Sequence, residues 1–239
     1  MIKRRKVLIV GGSKGIGASM VGQFSKMGDM VAFTYHTSEE EANIIKQETG
    51  ALAYHCDVRN EEDVLQLAKQ VEKLFHSLDV LIFNAGIAYT GLLETMDSAT
   101  FENLMKVDVY GAFYTSKYFL PLLRNNNGNI IFISSMWGQV GASLEVAYSA
   151  AKGALISLTK ALAKEVAPQC RVNCICPGVI QTDMMANYSD EVMLSLQEET
   201  PLQRIGRVED VAKAAIFLSS DNASFITGHI LSVNGGMVI

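Results

Sequence analysis

The chain has 239 residues, 49% hydrophobic and 19% charged, with a formal net charge of −5. That balance supports a sizeable packed core and excludes a disordered chain, and the acidic sign gives no global attraction to nucleic acid or acidic lipid. No apolar run approaches the roughly 18 residues of a membrane span, so neither nucleic acid nor a membrane is an expected partner.

The basic run Lys3-Arg4-Arg5-Lys6 reads as a solvated tail. Val7–Val10 follows as a first strand rather than the core of a secretion signal, so a cytoplasmic protein is expected. Gly11-Gly12-Ser13-Lys14-Gly15-Ile16-Gly17 comes next, before a helical pattern. Gly11, Gly15 and Gly17 permit a tight turn and let the backbone of the loop, with Ser13, Lys14 and Ile16, approach a pyrophosphate at a helix N-terminus. The loop lacks the Gly-Lys-Ser/Thr ending of a nucleotide-triphosphate loop.

A second strand, Met30–Tyr35, ends in His36-Thr37-Ser38. Dinucleotide folds that select NAD place an acid at this tip to bind the ribose 2′-hydroxyl. Hydroxyls, with Lys14 nearby, suit a 2′-phosphate better, so NADPH/NADP is expected over NADH. Further strands are expected at Ala51–His55, Val80–Phe83, Ile130–Ile133, Arg171–Ile175 and Ile230–Val233. Helix-length segments such as Glu61–Phe75 and Ala147–Ala167 separate most of them. This alternation predicts an α/β fold: a Rossmann-type, doubly wound, mostly parallel seven-stranded sheet with helices on both faces, residues 1–239 forming one domain. Residues 181–207 look like an insertion between the last two strands.

Tyr148 and Lys152 lie four apart on one helix face. An ammonium beside a phenol favours the phenolate. Ser135 lies 13 residues upstream of Tyr148, just past the fifth strand, where open parallel sheets bind ligands. Cys56, Cys170, Cys174 and Cys176 lack zinc-ligand spacing and read as core thiols in a reducing compartment. The four histidines show no metal-binding pattern either.

With these pieces assembled, the chain resembles the classical short-chain dehydrogenase/reductase family over nearly its whole length. The resemblance rests on the glycine loop, Cys56-Asp57-Val58, Asn84-Ala85-Gly86, Ser135 with Tyr148 and Lys152, Pro177-Gly178-Val179-Ile180-Gln181-Thr182, and the ending Ile226 to Gly236. It implies that Asp57 accepts from the adenine amino group, with Val58 beside it. Asn84, Ala85, Gly86, Val107, Pro177 and Gly178 would line the cofactor. Lys152 would bind the nicotinamide ribose, and Ile180 and Thr182 the carboxamide. Ser135 would hold the substrate oxygen, and Tyr148, also against the cofactor, would protonate it. Length and the tail from Pro201 resemble bacterial 3-oxoacyl-[acyl-carrier-protein] reductases, which implies a 3-oxoacyl thioester substrate.

The chain departs from the family pattern in three places. Asp108 replaces the Asn that anchors a water in the family's proton relay, and an ionised carboxylate cannot donate a hydrogen bond. Val10 replaces a Thr before the first loop glycine, and Phe83 the first Asn of Asn-Asn-Ala-Gly. Two alternatives therefore stay open: a reductase or dehydrogenase of another small ketone or alcohol, and a weakly active cofactor-binding subunit of a partner complex. Arg124, Arg171, Arg204 and Arg207 are the cations available for an acidic carrier protein. A homotetramer is expected, with Ala147, Ala150, Ala151 and Ala154 allowing close helix approach. Residues 181–207, with Met184, Met185 and Met193, are expected to form a substrate lid.

Overall fold

The computed structural model describes residues 4–185 and 188–239. Lys3 of the basic run, Ala186 and Asn187 of the 181–207 segment, and the side chain of Met184 lie outside the described residues. Seven strands form one sheet: β1 (Lys6–Val10), β2 (Met30–Tyr35), β3 (Leu52–His55), β4 (Val80–Phe83), β5 (Asn129–Ile133), β6 (Arg171–Pro177) and β7 (Ile230–Val233). Their order is β3-β2-β1-β4-β5-β6-β7, and every neighbouring pair is parallel. The fold is thus an all-parallel, doubly wound α/β sheet.

Alternate strand residues feed two cores. Leu8, Val10, Leu81, Phe83, Ile130 and Phe132 face α3 (Glu61–Phe75), α5 (Gly111–Arg124) and α7 (Val146–Val166). Val7, Ile9, Val80, Ile82 and Ile131 face α1 (Gly15–Lys26) and α9 (Val208–Leu218). A sheet buried on both faces has no polar side to alternate with, which is why its strands read as unbroken apolar runs. Each fully buried Val, Leu, Ile or Phe contributes about 1.5–3 kcal/mol. The remaining helices are α2 (Glu39–Thr49), α4 (Ser98–Met105), the short α6 (Trp137–Val140) and α8 (Asp190–Glu199).

The order of strands reverses between β1 and β4, which opens a crevice at their carboxyl ends. There the N–H groups of Asn84 and Ala85 both donate to the Val10 carbonyl at 2.9 Å, locking the loop after β4 against the glycine loop.

Two sequence expectations need correction. Arg5 and Lys6 are not a solvated tail. Arg5 pairs with Asp29 at 2.7 Å and donates to the Ser219 carbonyl at 3.2 Å, while the Lys6 ammonium donates to the Phe75 carbonyl and to Ser77 Oγ. The chain enters the sheet at Lys6, so both side chains reach loop and helix-end carbonyls along that edge. Ala147 and Ala151 are buried inside the subunit against Leu104, because they share the inward face of α7; only Ala150 and Ala154 remain towards the outside.

Candidate active site

The glycine loop joins β1 to α1, and its packing dictates the residue types. An ideal Cβ on Gly17 would stand 2.0 Å from the Gly11 carbonyl oxygen, so no side chain fits there. The Asn84 side-chain amide donates to that same carbonyl at 2.7 Å, and the Gly11 N–H donates to Thr34 Oγ1 at 2.9 Å. The N-terminus of α1 has no side-chain cap and no acid in its first turn. Its free N–H groups and positive dipole end can take a phosphate.

Beside it, the Ser13 and Ser38 hydroxyls are hydrogen-bonded at 2.7 Å. Lys14 is an exposed ammonium 2.6 Å from Glu41, on the first turn of α2, and the hydrogen bond it donates to Glu41 raises its pKa. Asp57 is held by Arg59 through contacts of 2.8 and 2.6 Å, which lower its carboxyl pKa. Arg59 also donates to Asn103 at 2.8 Å, and His36 stands 3.6 Å from Asp57.

Deeper in the crevice, Tyr148 and Lys152 project from α7. Asp108 sits in a π-helical segment, Lys106–Tyr110, between α4 and α5. Such a bulge adds a residue to the turn and re-aims its side chains, and it recurs at functional sites. Here it buries Asp108 completely. Asp108 Oδ1 accepts the Ile87 N–H at 2.9 Å, and Oδ2 lies 2.8 Å from the Lys152 ammonium. The two charges thus form a buried ion pair. Gly86 lies against the pair: an ideal Cβ there would stand 2.8 Å from Lys152 Nζ and 3.0 Å from Asp108 Oδ2. Lys152 also donates to the Ile133 carbonyl at 3.4 Å, and its own carbonyl accepts from Ser134 Oγ at 2.8 Å.

The Lys152 ammonium lies 5.5 Å from the Tyr148 ring centroid. Burial works to lower the lysine pKa, but Asp108 and Tyr148 outweigh it and the net direction is up. For Tyr148, burial raises the pKa, Lys152 lowers it, Asp108 raises it and a hydrogen bond with Ser135 lowers it; the net direction is up. The phenol therefore keeps its proton as a weak acid, with a fixed cation behind it and the Ser135 hydroxyl beside it.

A cavity of about 910 Å³ joins these parts. It is lined by Gly11, Ser13, Lys14, Gly15, Ile16, His36, Thr37, Ser38, Asp57, Val58, Asn84, Ala85, Gly86 and Val107. Ser135, Tyr148, Lys152, Pro177, Gly178, Ile180 and Thr182 complete that set. Gly17 and Asp108 lie behind the wall, Gly17 packed on Gly11 and Asp108 on Lys152. The uncapped helix end, the side-chain-free strip along the loop and the volume of the cavity fit a dinucleotide. Sequence reasoning missed Arg59, whose spacing from Asp57 carries no distinctive pattern. It also missed Glu145 and Trp137, which line the cavity beside Tyr148. Among the described residues, no group of three His, Cys, Asp or Glu side chains could hold a metal ion.

The family model described as enoyl-(acyl carrier protein) reductase matches residues 10–238. The chain is 35% identical to an uncharacterized oxidoreductase, YmfI, of Bacillus subtilis, covering 97% of this chain and 98% of that one. It is 36% identical to 3-oxoacyl-[acyl-carrier-protein] reductase FabG of Staphylococcus aureus, over 98% of both. A short-chain dehydrogenase/reductase structure from Brucella melitensis superposes with a TM-score of 0.95 at 29% identity, covering 98% of this chain and 97% of that one. The structure titled "ElxO with NADP Bound" superposes with a TM-score of 0.91 at 33% identity, covering 98% and 99%.

Proposed function

Because the chain belongs to the short-chain dehydrogenase/reductase family, we propose that it is an NADPH-dependent ketone reductase whose substrate is a 3-oxoacyl thioester. The observation that carries this reading is the buried Asp108–Lys152 pair of 2.8 Å behind Tyr148, in one cavity with the glycine loop. NADPH, when bound, supplies the hydride. Gly11 to Gly17 hold its pyrophosphate, Asp57 and Val58 its adenine, and Ile180 and Thr182 its carboxamide. Lys14, with the hydroxyls of Ser13, Thr37 and Ser38, meets the 2′-phosphate in place of an acid; one superposable relative is titled with NADP bound.

The Ser135 hydroxyl donates to the substrate carbonyl oxygen and fixes its position. The Tyr148 phenol donates its proton to that oxygen, and the Lys152 ammonium stabilises the phenolate left behind. Asp108 keeps Lys152 charged and, through Ile87 and Gly86, fixes the wall against which the substrate lies. Ser135 and Tyr148 converge on a single oxygen, as a carbonyl requires.

The thioester class rests on the printed name of the staphylococcal relative. A carrier-protein docking patch has less support. Arg171 is half-buried and spends its donors on the Ile226, Leu218 and Ser220 carbonyls, and Arg204 is paired with Asp210 at 2.7 Å. Arg124 and Arg207 are exposed and remain for an acidic partner. Residues 181–207 serve as the lid, since Met185, Tyr188 and Leu196 line the cavity. A homotetramer is supported by an apolar groove of about 450 Å³ on the outer face of α5 and α7, lined by Tyr110, Phe113, Tyr114 and Ala154. Four free cysteines suit a reducing cytoplasm. The test is turnover of acetoacetyl thioesters with NADPH and with NADH. The reading requires faster reduction with NADPH, and fails if neither cofactor is oxidised by any 3-oxo compound.

A further inference from the structure

Glu145 stands immediately before α7, three residues ahead of Tyr148, and its side chain lines the same cavity. It does not cap the helix, and among the described residues none of the hydrogen bonds or ion pairs includes its carboxylate. Burial raises its pKa, and its charge acts to raise that of Tyr148. Trp137 of α6 and Thr90 of the loop after β4 line the same cavity as Glu145. That loop is tied to it by the Gly91 N–H donating to the Leu144 carbonyl at 2.8 Å. Lys152, the cation nearest the reacting phenol, is already neutralised by Asp108.

A partly buried carboxylate without a partner is costly, and it is offset when a ligand brings a donor to it. A ligand bringing a second carboxylate would meet like-charge repulsion in a partly desolvated cleft. We infer that Glu145 selects the group next to the substrate carbonyl: the cleft accepts a neutral 3-oxo compound, favours one presenting an N–H or O–H donor there, and rejects one presenting a carboxylate. This rests on the ketone-reductase reading of the cleft. It narrows the substrate class to neutral 3-oxo derivatives, thioesters among them, and excludes the free 3-oxo acids.

The test uses three compounds of one skeleton: acetoacetamide, methyl acetoacetate and acetoacetate. Trp137 is the only tryptophan of the chain and lines the cavity, so quenching of its emission reads binding without turnover. kcat/KM with NADPH is measured alongside. In the unaltered protein the order expected is acetoacetamide, then methyl acetoacetate, then acetoacetate. The first should exceed the last by about 100-fold, because like charges brought together in a partly desolvated cleft repel strongly. In Glu145→Gln that ratio should fall by about tenfold or more, chiefly because acetoacetate binds better. A ratio unchanged between the two proteins, or no quenching by any of the three, overturns the inference. If the quenching ratios behave as expected while no compound oxidises NADPH, the assignment of Glu145 stands and the reductase reading fails.

Discussion

Replacing Asp108 by Asn removes a charge from the centre of the site while keeping its shape. Asp108 uses one oxygen for the Ile87 N–H at 2.9 Å and the other for Lys152 at 2.8 Å. Asn has one acceptor and can satisfy only one of these. The effect on the phenol follows from distance. The two legs, 2.8 Å from carboxylate to ammonium and 5.5 Å from ammonium to ring centroid, put at most about 8 Å between carboxylate and ring. At an effective dielectric constant of about 20, a unit charge at that range acts with about 2 kcal/mol, or about 1.5 pH units. Asp108 raises the Tyr148 pKa, so its removal lowers it. Reduction needs the phenol protonated and is lost as pH rises through that pKa; alcohol oxidation needs the phenolate and grows over the same range. Asp108→Asn should therefore move the alkaline limb of kcat/KM for reduction down by about one pH unit or more. Reduction at neutral pH should hold or rise, and oxidation near pH 8 should become faster. The assay is a pair of pH profiles, one per direction, on both proteins. An unmoved alkaline limb would refute the electrostatic argument. A large loss of activity at every pH, with circular dichroism unchanged, would show that the carboxylate has a catalytic role of its own.

Other predictions follow the same geometry. Lys14→Ala should weaken NADPH by about tenfold, the scale of one charge-assisted contact, and NADH much less, as measured by calorimetric titration. Equal losses would show that Lys14, paired with Glu41 at 2.6 Å, does not read the 2′-phosphate. Phe113→Glu places a charge on the exposed apolar groove of α5 and should convert a tetramer into smaller species by light scattering; an unaltered protein already monomeric at micromolar concentration would contradict the tetramer. Amide exchange across 188–199 should slow when NADPH and a 3-oxo ligand are both present; no change would leave α8 a fixed wall.

Much of this architecture was legible because sheet burial writes itself into the sequence. The strands at Met30–Tyr35, Val80–Phe83 and Ile230–Val233 and the helix Glu61–Phe75 coincide with the expected spans, since each is bounded by glycine or polar residues and carries one clear period. The first residues of β1 and β5 and the last two of β6 were harder to see. Asn129 and Pro177 break the apolar pattern, yet Asn129 is buried with its amide near the Asp79 and Ser219 carbonyls. The π-helical turn at Lys106–Tyr110 has no periodic signature in so short a segment. The inward turn of Ala147 and Ala151 was hidden because alanine suits either face of a helix. In the site, the glycine loop and the Tyr148–Lys152 spacing were visible because local geometry demands those residue types. Arg59 and Glu145 depend on long-range folding: Arg59 meets Asn103, 44 positions on, and Glu145 becomes part of a cavity only once the loop after β4 closes on Leu144.

The most direct measurement compares Tyr148→Phe with the unaltered protein in two assays, NADPH affinity by fluorescence titration and NADPH oxidation by an acetoacetyl thioester in single turnover. The phenol is the proposed proton donor, so its loss should slow hydride transfer by about 100-fold or more while NADPH affinity stays nearly the same. Single-turnover reduction as fast in Tyr148→Phe as in the unaltered protein would contradict the account.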